Sequence, residues 1–174
     1  MISSAVDSWI ALDQTMESRD KRFGMETAEQ DGWQAPNPGV LKINLDAFPT
    51  SPNHRGLSAV ICDYKEELAT VACTMEYGTW DAEISKVAAA CFGLQVVVLL
   101  GLQDAILETD SKLTVQALKN RSYKATYSSS FIKDCHALSN SLSSISYSFV
   151  RRTCDKVTHK TANFAFMVGK LRSG

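Results

Sequence analysis

Two aspartates in this chain close strand-like segments, the position from which carboxylates can support metal-assisted or acid–base chemistry. LKINLDAF alternates Leu41, Ile43 and Leu45 with Lys42, Asn44 and Asp46. ILETDS places Ile106, Glu108 and Asp110 on one face and Leu107 and Thr109 on the other. If both strands lie at the centre of a sheet, their carboxylates can converge on a hard divalent cation, which needs oxygen ligands in near-octahedral array. Each also reads as a turn or cap residue, Asp110 as a helix N-cap ahead of Lys112. Glu83 and Lys86 stand one turn apart on one face of a predicted helix whose start would point at these strand ends. Without that context the pair would read as a solvated helix face.

Other candidates are weaker. His159 shares a helical segment with Lys156 and Lys160 and reads as a ligand, a general base or a surface residue. Arg151, Arg152, Lys156 and Lys160 form a basic cluster suited to phosphates or simply to solvent, with no aromatic platform interleaved. The sequence has no G-x-S-x-G, no phosphate-cradling glycine loop and no dinucleotide fingerprint, so serine-triad and nucleotide-cofactor chemistries have no support.

The elements that must position these residues follow from pattern. VAAACFGLQVVVLLG, Val87 to Gly101, is too long for one buried strand, and too short and too interrupted by Gly93 and Gln95 for a bilayer span, so it reads as a buried helix. Thr79 or Asp81 caps its start and Gly101 its end. Before it, Leu41 to Phe48, Gly56 to Cys62 and Glu67 to Met75 read as three strands of an antiparallel meander, with Pro49 to Arg55 a turn-rich loop and Asp63-Tyr64-Lys65-Glu66 a hairpin connection. After it, Ala105 to Thr109 reads as a strand reached by a parallel crossover. Helices are predicted at Ser111 to Asn120, with Ser111 as N-cap, at Ser128 to Ser141 and at Lys156 to Val168, and a fifth strand at Ser144 to Val150. The order β-β-β-α-β-α-α-β-α implies an α/β domain: a mixed five-stranded sheet, three strands antiparallel and then two parallel, flanked by helices.

Size and composition agree with one such domain. The chain has 174 residues, 45% of them apolar and 21% charged, and a net charge of -1, which exerts no overall pull toward nucleic acid. Residues 1–32 are mixed and polar and read as a linker or upstream remnant, poorly ordered, ahead of a domain at 33–170. Cys62, Cys73, Cys91, Cys135 and Cys154 are odd in number and never in C-x-x-C spacing, which implies reduced thiols rather than zinc or a disulfide framework. No basic n-region followed by an apolar h-region opens the chain. The expectation is an intracellular protein, nuclear or cytoplasmic, monomeric and without a membrane.

Taken together, these segments resemble the ribonuclease H-like domains of plants, related to the ribonuclease H of retrotransposon reverse transcriptases. The resemblance rests on Trp33, Pro36, Pro38 and Gly39 before KINLDA, on ICDYKEELATVA, on GLQVVVLLGLQDAILETDS, and on FVRRTCDKVTHKTANFA, in that order and spacing. It implies a ribonuclease H-like fold and cleavage of the RNA strand of an RNA–DNA hybrid. Four acidic positions would hold two Mg²⁺ or Mn²⁺ ions that activate water and stabilise the leaving oxygen.

In that pattern the first acid matches Asp46, the third Asp110, and the fourth position, commonly histidine in the plant branch, His159. Glu108 and Ser111 are also in pattern, and Asp155 stands where asparagine is usual. Two departures matter. The usual Gly-Ala after the first acid is here Ala47-Phe48, and the second acid's position falls on Lys86. Glu83 lies one turn too early, about 4.5 Å along the helix.

The resemblance therefore implies one of two functions. One is an endonuclease using Asp46, Asp110 and a recruited Glu83, with His159 assisting. The other is a degenerate module that binds hybrid, other nucleic acid or a protein, in which Lys86 takes over the metal's charge-balancing role and activity is weak or lost. Ser111, Arg152 and Lys156 are the candidate nucleic-acid contacts.

Overall fold

The computed structural model describes residues 36–65, 67–120 and 128–150. Their elements are β1 (Leu41–Ser51), β2 (His54–Cys62), β3 (Leu68–Tyr77), α1 (Ala82–Leu99), β4 (Asp104–Thr109), α2 (Lys112–Asn120), α3 (Ser128–Ser139) and β5 (Ser144–Phe149). One sheet of order β3-β2-β1-β4-β5 holds all five strands; β1 to β3 pair antiparallel, and β4 joins β1 and β5 in parallel. This is the mixed sheet that the sequence implies. The terminal helix expected at Lys156 to Val168 lies outside the described residues.

Period-two alternation splits the sheet into two chemically different faces. Ile43 and Leu45 of β1, Leu57, Ala59 and Ile61 of β2, Ala72 of β3 and Leu107 of β4 are buried together with Val87 to Cys91, Leu94, Val96 and Val97 of α1. The opposite face carries Lys42, Asn44, Asp46, Ser58 and Glu108, all buried, beside Val60 and Val71. Among the described residues α1 is the one helix long and apolar enough to cross a bilayer, yet most of it is enclosed by the sheet and by α3.

The α1 boundaries have local causes. Asp81 is extended, and its Oδ1 accepts from the Ile84 N–H at 2.8 Å, so Asp81 rather than Thr79 is the N-cap. At the other end Gly101 has φ +68° and donates to the Val98 carbonyl at 3.0 Å, while Leu102 donates to Val97 at 3.1 Å. That pair of bonds is a Schellman turn, which needs a left-handed residue where the glycine stands.

The loop expected at Pro49 to Arg55 is mostly strand. β1 and β2 stay paired from Phe48↔Gly56 through Pro49↔Arg55 to Ser51↔His54, with a register shift between Pro49 and Ser51. Beyond Asn44, β1 has no register partner on β4, so Pro49 falls where the strand is paired on one side only and next to an irregularity. Proline is tolerated in both settings. The helix predicted to Ser141 ends at Ser139, with turn hydrogen bonds from Ser141 and Leu142 following it.

Gly93 sets the distance between α1 and the sheet, because a Cβ there would overlap Cδ2 of the buried Leu45. Gly93→Ala opposes a gain of up to about 1 kcal/mol in helix propensity with roughly 1–3 kcal/mol of overpacking. The overpacking wins, since Leu45 is enclosed by the core. Urea unfolding should show a lower midpoint at unchanged slope, and Leu45→Val in the same chain should return part of the loss.

Candidate functional site

Parallel pairing of β1 with β4 brings the two strand-end aspartates together. Their register runs Leu41↔Ala105, Lys42↔Ile106, Ile43↔Leu107 and Asn44↔Glu108. Continuing it by two residues sets Asp46 level with Asp110, on the face opposite the apolar core. The chain then has to deliver α1 to the same edge. Arg55 does part of this: its guanidinium donates to the Trp80 carbonyl at 2.8 and 3.2 Å and to the Ser51 and His54 carbonyls at 3.0 Å each. The β1–β2 hairpin is thereby tied to the segment that launches α1.

One turn past the Asp81 cap, Lys86 reaches between the two carboxylates. Its Nζ donates to Asp46 Oδ1 at 2.9 Å and stands 2.8 Å from Asp110 Oδ1, the second contact being a charge contact out of line for a hydrogen bond. The three side chains keep only 11%, 9% and 12% of their surfaces exposed. Asp46 Oδ1 also accepts from the Ala47 N–H at 2.8 Å. Burial works against the ammonium, but the carboxylates of Asp110 and Asp46 beside it outweigh that cost and hold the Lys86 pKa above its ordinary value.

The remaining sequence candidates separate cleanly. Ser111 is the α2 N-cap: its Oγ accepts from the Thr114 N–H at 3.1 Å, and its carbonyl accepts from Val115 at 3.1 Å. The cap reading therefore belongs to Ser111 and not to Asp110, whose carboxylate faces Lys86. Glu83 is exposed in the first turn of α1. His159, Arg152 and Lys156 lie outside the described residues. Among those described, no group of three or more His, Cys, Asp or Glu side chains is arranged to hold a metal ion. Cys62, Cys73, Cys91 and Cys135 form no disulfide with one another.

A second ion pair lies behind the first on the same face. Lys42 Nζ is 2.8 Å from Glu108 Oε1, with both side chains about 95% buried. Glu108 Oε2 is buried without a hydrogen-bond partner. The sequence holds a signal for this pair that its reading did not use: a lysine at an alternating position of a central strand must find a counter-charge or stay in water.

A five-stranded sheet in this order, with helices on its faces, defines a ribonuclease H-like fold. Solved structures share it. RNase H1 from the halophilic archaeon Halobacterium salinarum matches with TM-score 0.61 and 13% identity, over 68% of this chain and 90% of that one. The N-terminal RNase H domain of a Mycobacterium tuberculosis protein matches with TM-score 0.62 and 19% identity, over 78% and 99%. LC11-RNase H1 in complex with an RNA/DNA hybrid matches with TM-score 0.58 and 14% identity, over 65% and 86%. At these identities the likeness is one of fold. A search among curated proteins returns no match. The family model described as reverse transcriptase-like matches residues 44–165, and the chain belongs to that family.

Removing the ammonium should expose the mutual repulsion it suppresses. Lys86→Met is expected to cost about 3 kcal/mol at neutral pH, the low end for breaking a buried pair because each side chain keeps about a tenth of its surface exposed. Acidification should relieve part of the defect as one of the two carboxylates takes up a proton. The native chain shows its dependence at the other end of the pH scale. A lysine pKa raised by folding stabilises fully below its ordinary value of 10.5 and stops doing so as pH rises through the folded value. Denaturant midpoints measured across acid and alkaline pH on both proteins check the two limbs.

Proposed function

We propose that this chain is a ribonuclease H-type domain that holds RNA–DNA hybrid, with cleavage weak or lost because Lys86 stands where relatives supply the second acidic ligand. The observation that carries this reading is the Lys86 Nζ position, 2.9 Å from Asp46 and 2.8 Å from Asp110. Hybrid as partner draws support from the fold shared with LC11-RNase H1, which was solved with an RNA/DNA hybrid. Ser111, Arg152 and Lys156 are the proposed nucleic-acid contacts.

Ribonuclease H chemistry is supplied by Mg²⁺ or Mn²⁺, and Asp46 and Asp110 are the residues that would hold one. With the ammonium seated they do not fit it. A divalent ion about 4 Å from that nitrogen would meet roughly 8 kcal/mol of repulsion at an effective dielectric of 20, twice the value for unit charges. Metal can enter only if the ammonium leaves. The alternative is a working endonuclease in which Glu83 folds inward beside Asp46 and Asp110 and His159 assists.

Calorimetric titration with Mn²⁺ separates the two readings. The native protein should show no tight stoichiometric binding, and Lys86→Glu should gain affinity. On a labelled hybrid, a gel should show retention with little cutting. Tight Mn²⁺ binding and Mn²⁺-dependent cutting, both abolished by Asp46→Asn, would establish the endonuclease instead.

A further inference from the structure

Among the described residues β3 closes the sheet on one side and β5 on the other, and the two edges differ in chemistry. The six residues of β5, SISYSF, alternate serine with apolar side chains. The ten of β3, LATVACTMEY, include no proline, lysine or arginine, the residues that commonly keep an edge strand from pairing further. Its single charge is Glu76, and its one irregularity lies at its start, opposite Cys62. Leu68, Met75 and Tyr77 are 56%, 54% and 73% exposed, and Tyr64 in the turn before them is 40% exposed. Half of the large apolar side chains left exposed among the described residues therefore sit on this strand or on the turn leading into it. The backbone of β3 is open on the same side. The Gly78 N–H donates to the Asn53 carbonyl at 2.9 Å, so the hydrogen-bonded pairs with β2 run on through Arg55↔Glu76, Leu57↔Thr74 and Ala59↔Ala72. Val71, Cys73, Met75 and Tyr77 occupy the intervening pairs, and their N–H and C=O groups point outward, away from β2.

We propose that β3 pairs antiparallel with β3 of a second copy of this chain, joining two sheets into one about a two-fold axis, in place of the monomer expected from the sequence. The inference goes beyond the nucleic-acid reading and does not depend on it. A row of outward N–H and C=O groups on alternate residues is met by an extended strand, and the same edge of a second copy offers these groups at the same spacing. The side chains favour that partner. With the axis at Cys73, each Cys73 faces its counterpart, and the exposed Met75 of each copy lies across from Val71 of the other. Thr70 then faces Glu76 of the other copy, so the strand's only charge does not meet itself. Directly opposed residues share a face of the sheet, and the two Asp46 faces would accordingly lie on one side of the joined sheet.

Sedimentation equilibrium on the full chain tests this. The mass should rise with concentration toward that of two chains. Met75→Lys, at an exposed position outside the core, adds the kind of charge that guards natural edge strands and should weaken association about tenfold or more. Backbone amide exchange locates the contact: the amides of Val71, Cys73 and Met75 should exchange more slowly as concentration rises, while those of β5 do not change. A chain that stays monomeric at the highest concentration measured overturns the proposal, and protected β3 amides in that monomer would assign the edge to another part of the same chain. A dimer whose β3 amides exchange as fast as in the monomer, or one that Met75→Lys leaves intact, overturns it as well. Each of these outcomes leaves the hybrid-binding reading standing.

Discussion

The site depends on a single ammonium group held between two carboxylates at the edge of a parallel strand pair. Asp46 and Asp110 are brought level by the β1–β4 register, and a partly buried pair of like charges at that spacing forces one of them to take a proton unless a cation intervenes. Related domains meet this constraint with metal; here a side chain of the chain itself meets it. Lys86 is one turn into α1, so its reach is decided by where that helix starts. The Asp81 cap and the Arg55 clamp on the Trp80 carbonyl fix the start.

The same geometry explains why the helix must pack so closely on the sheet. A slip of one residue along α1 rotates a side chain by about 100° and moves it 1.5 Å, enough to carry the ammonium away from both acids. The overlap that a Cβ at Gly93 would make with Leu45 leaves α1 one depth of seating, and the Schellman turn at Gly101 limits its length before β4. Core packing and site charge are in this sense one arrangement. The apolar residues place the helix, and the helix places the charge.

Most of this architecture was legible in the sequence, for reasons that can be named. Strict alternation in LKINLDA and ILETD marked two central strands; the helix start pointed both Glu83 and Lys86 at them, and only the spacing of the resemblance singled out Lys86. What was not legible depended on contacts across strands. Pro49 suggested a loop, because a proline in a strand is tolerated only where pairing is one-sided, and pairing is not written in the local sequence. The cap at α2 was ambiguous between Asp110 and Ser111, since both are good N-cap residues and only the hydroxyl's bond to Thr114 distinguishes them. The Lys42–Glu108 pair and the Phe48–Gly56 contact join residues on different strands; alternation gives the face each residue occupies but not which strand lies beside it. Positions in the C-terminal segment, His159 among them, rest on the resemblance alone.

The charges gathered on the Asp46 face also bear on how the proposed nucleic-acid partner would be held there. Asp46, Asp110 and Glu108 against Lys86 and Lys42 leave these five groups with one net negative charge. A metal-loaded site draws phosphate strongly to the acids; a site balanced by an ammonium does not, and mildly repels it. Attraction must then come from around the site rather than from its centre.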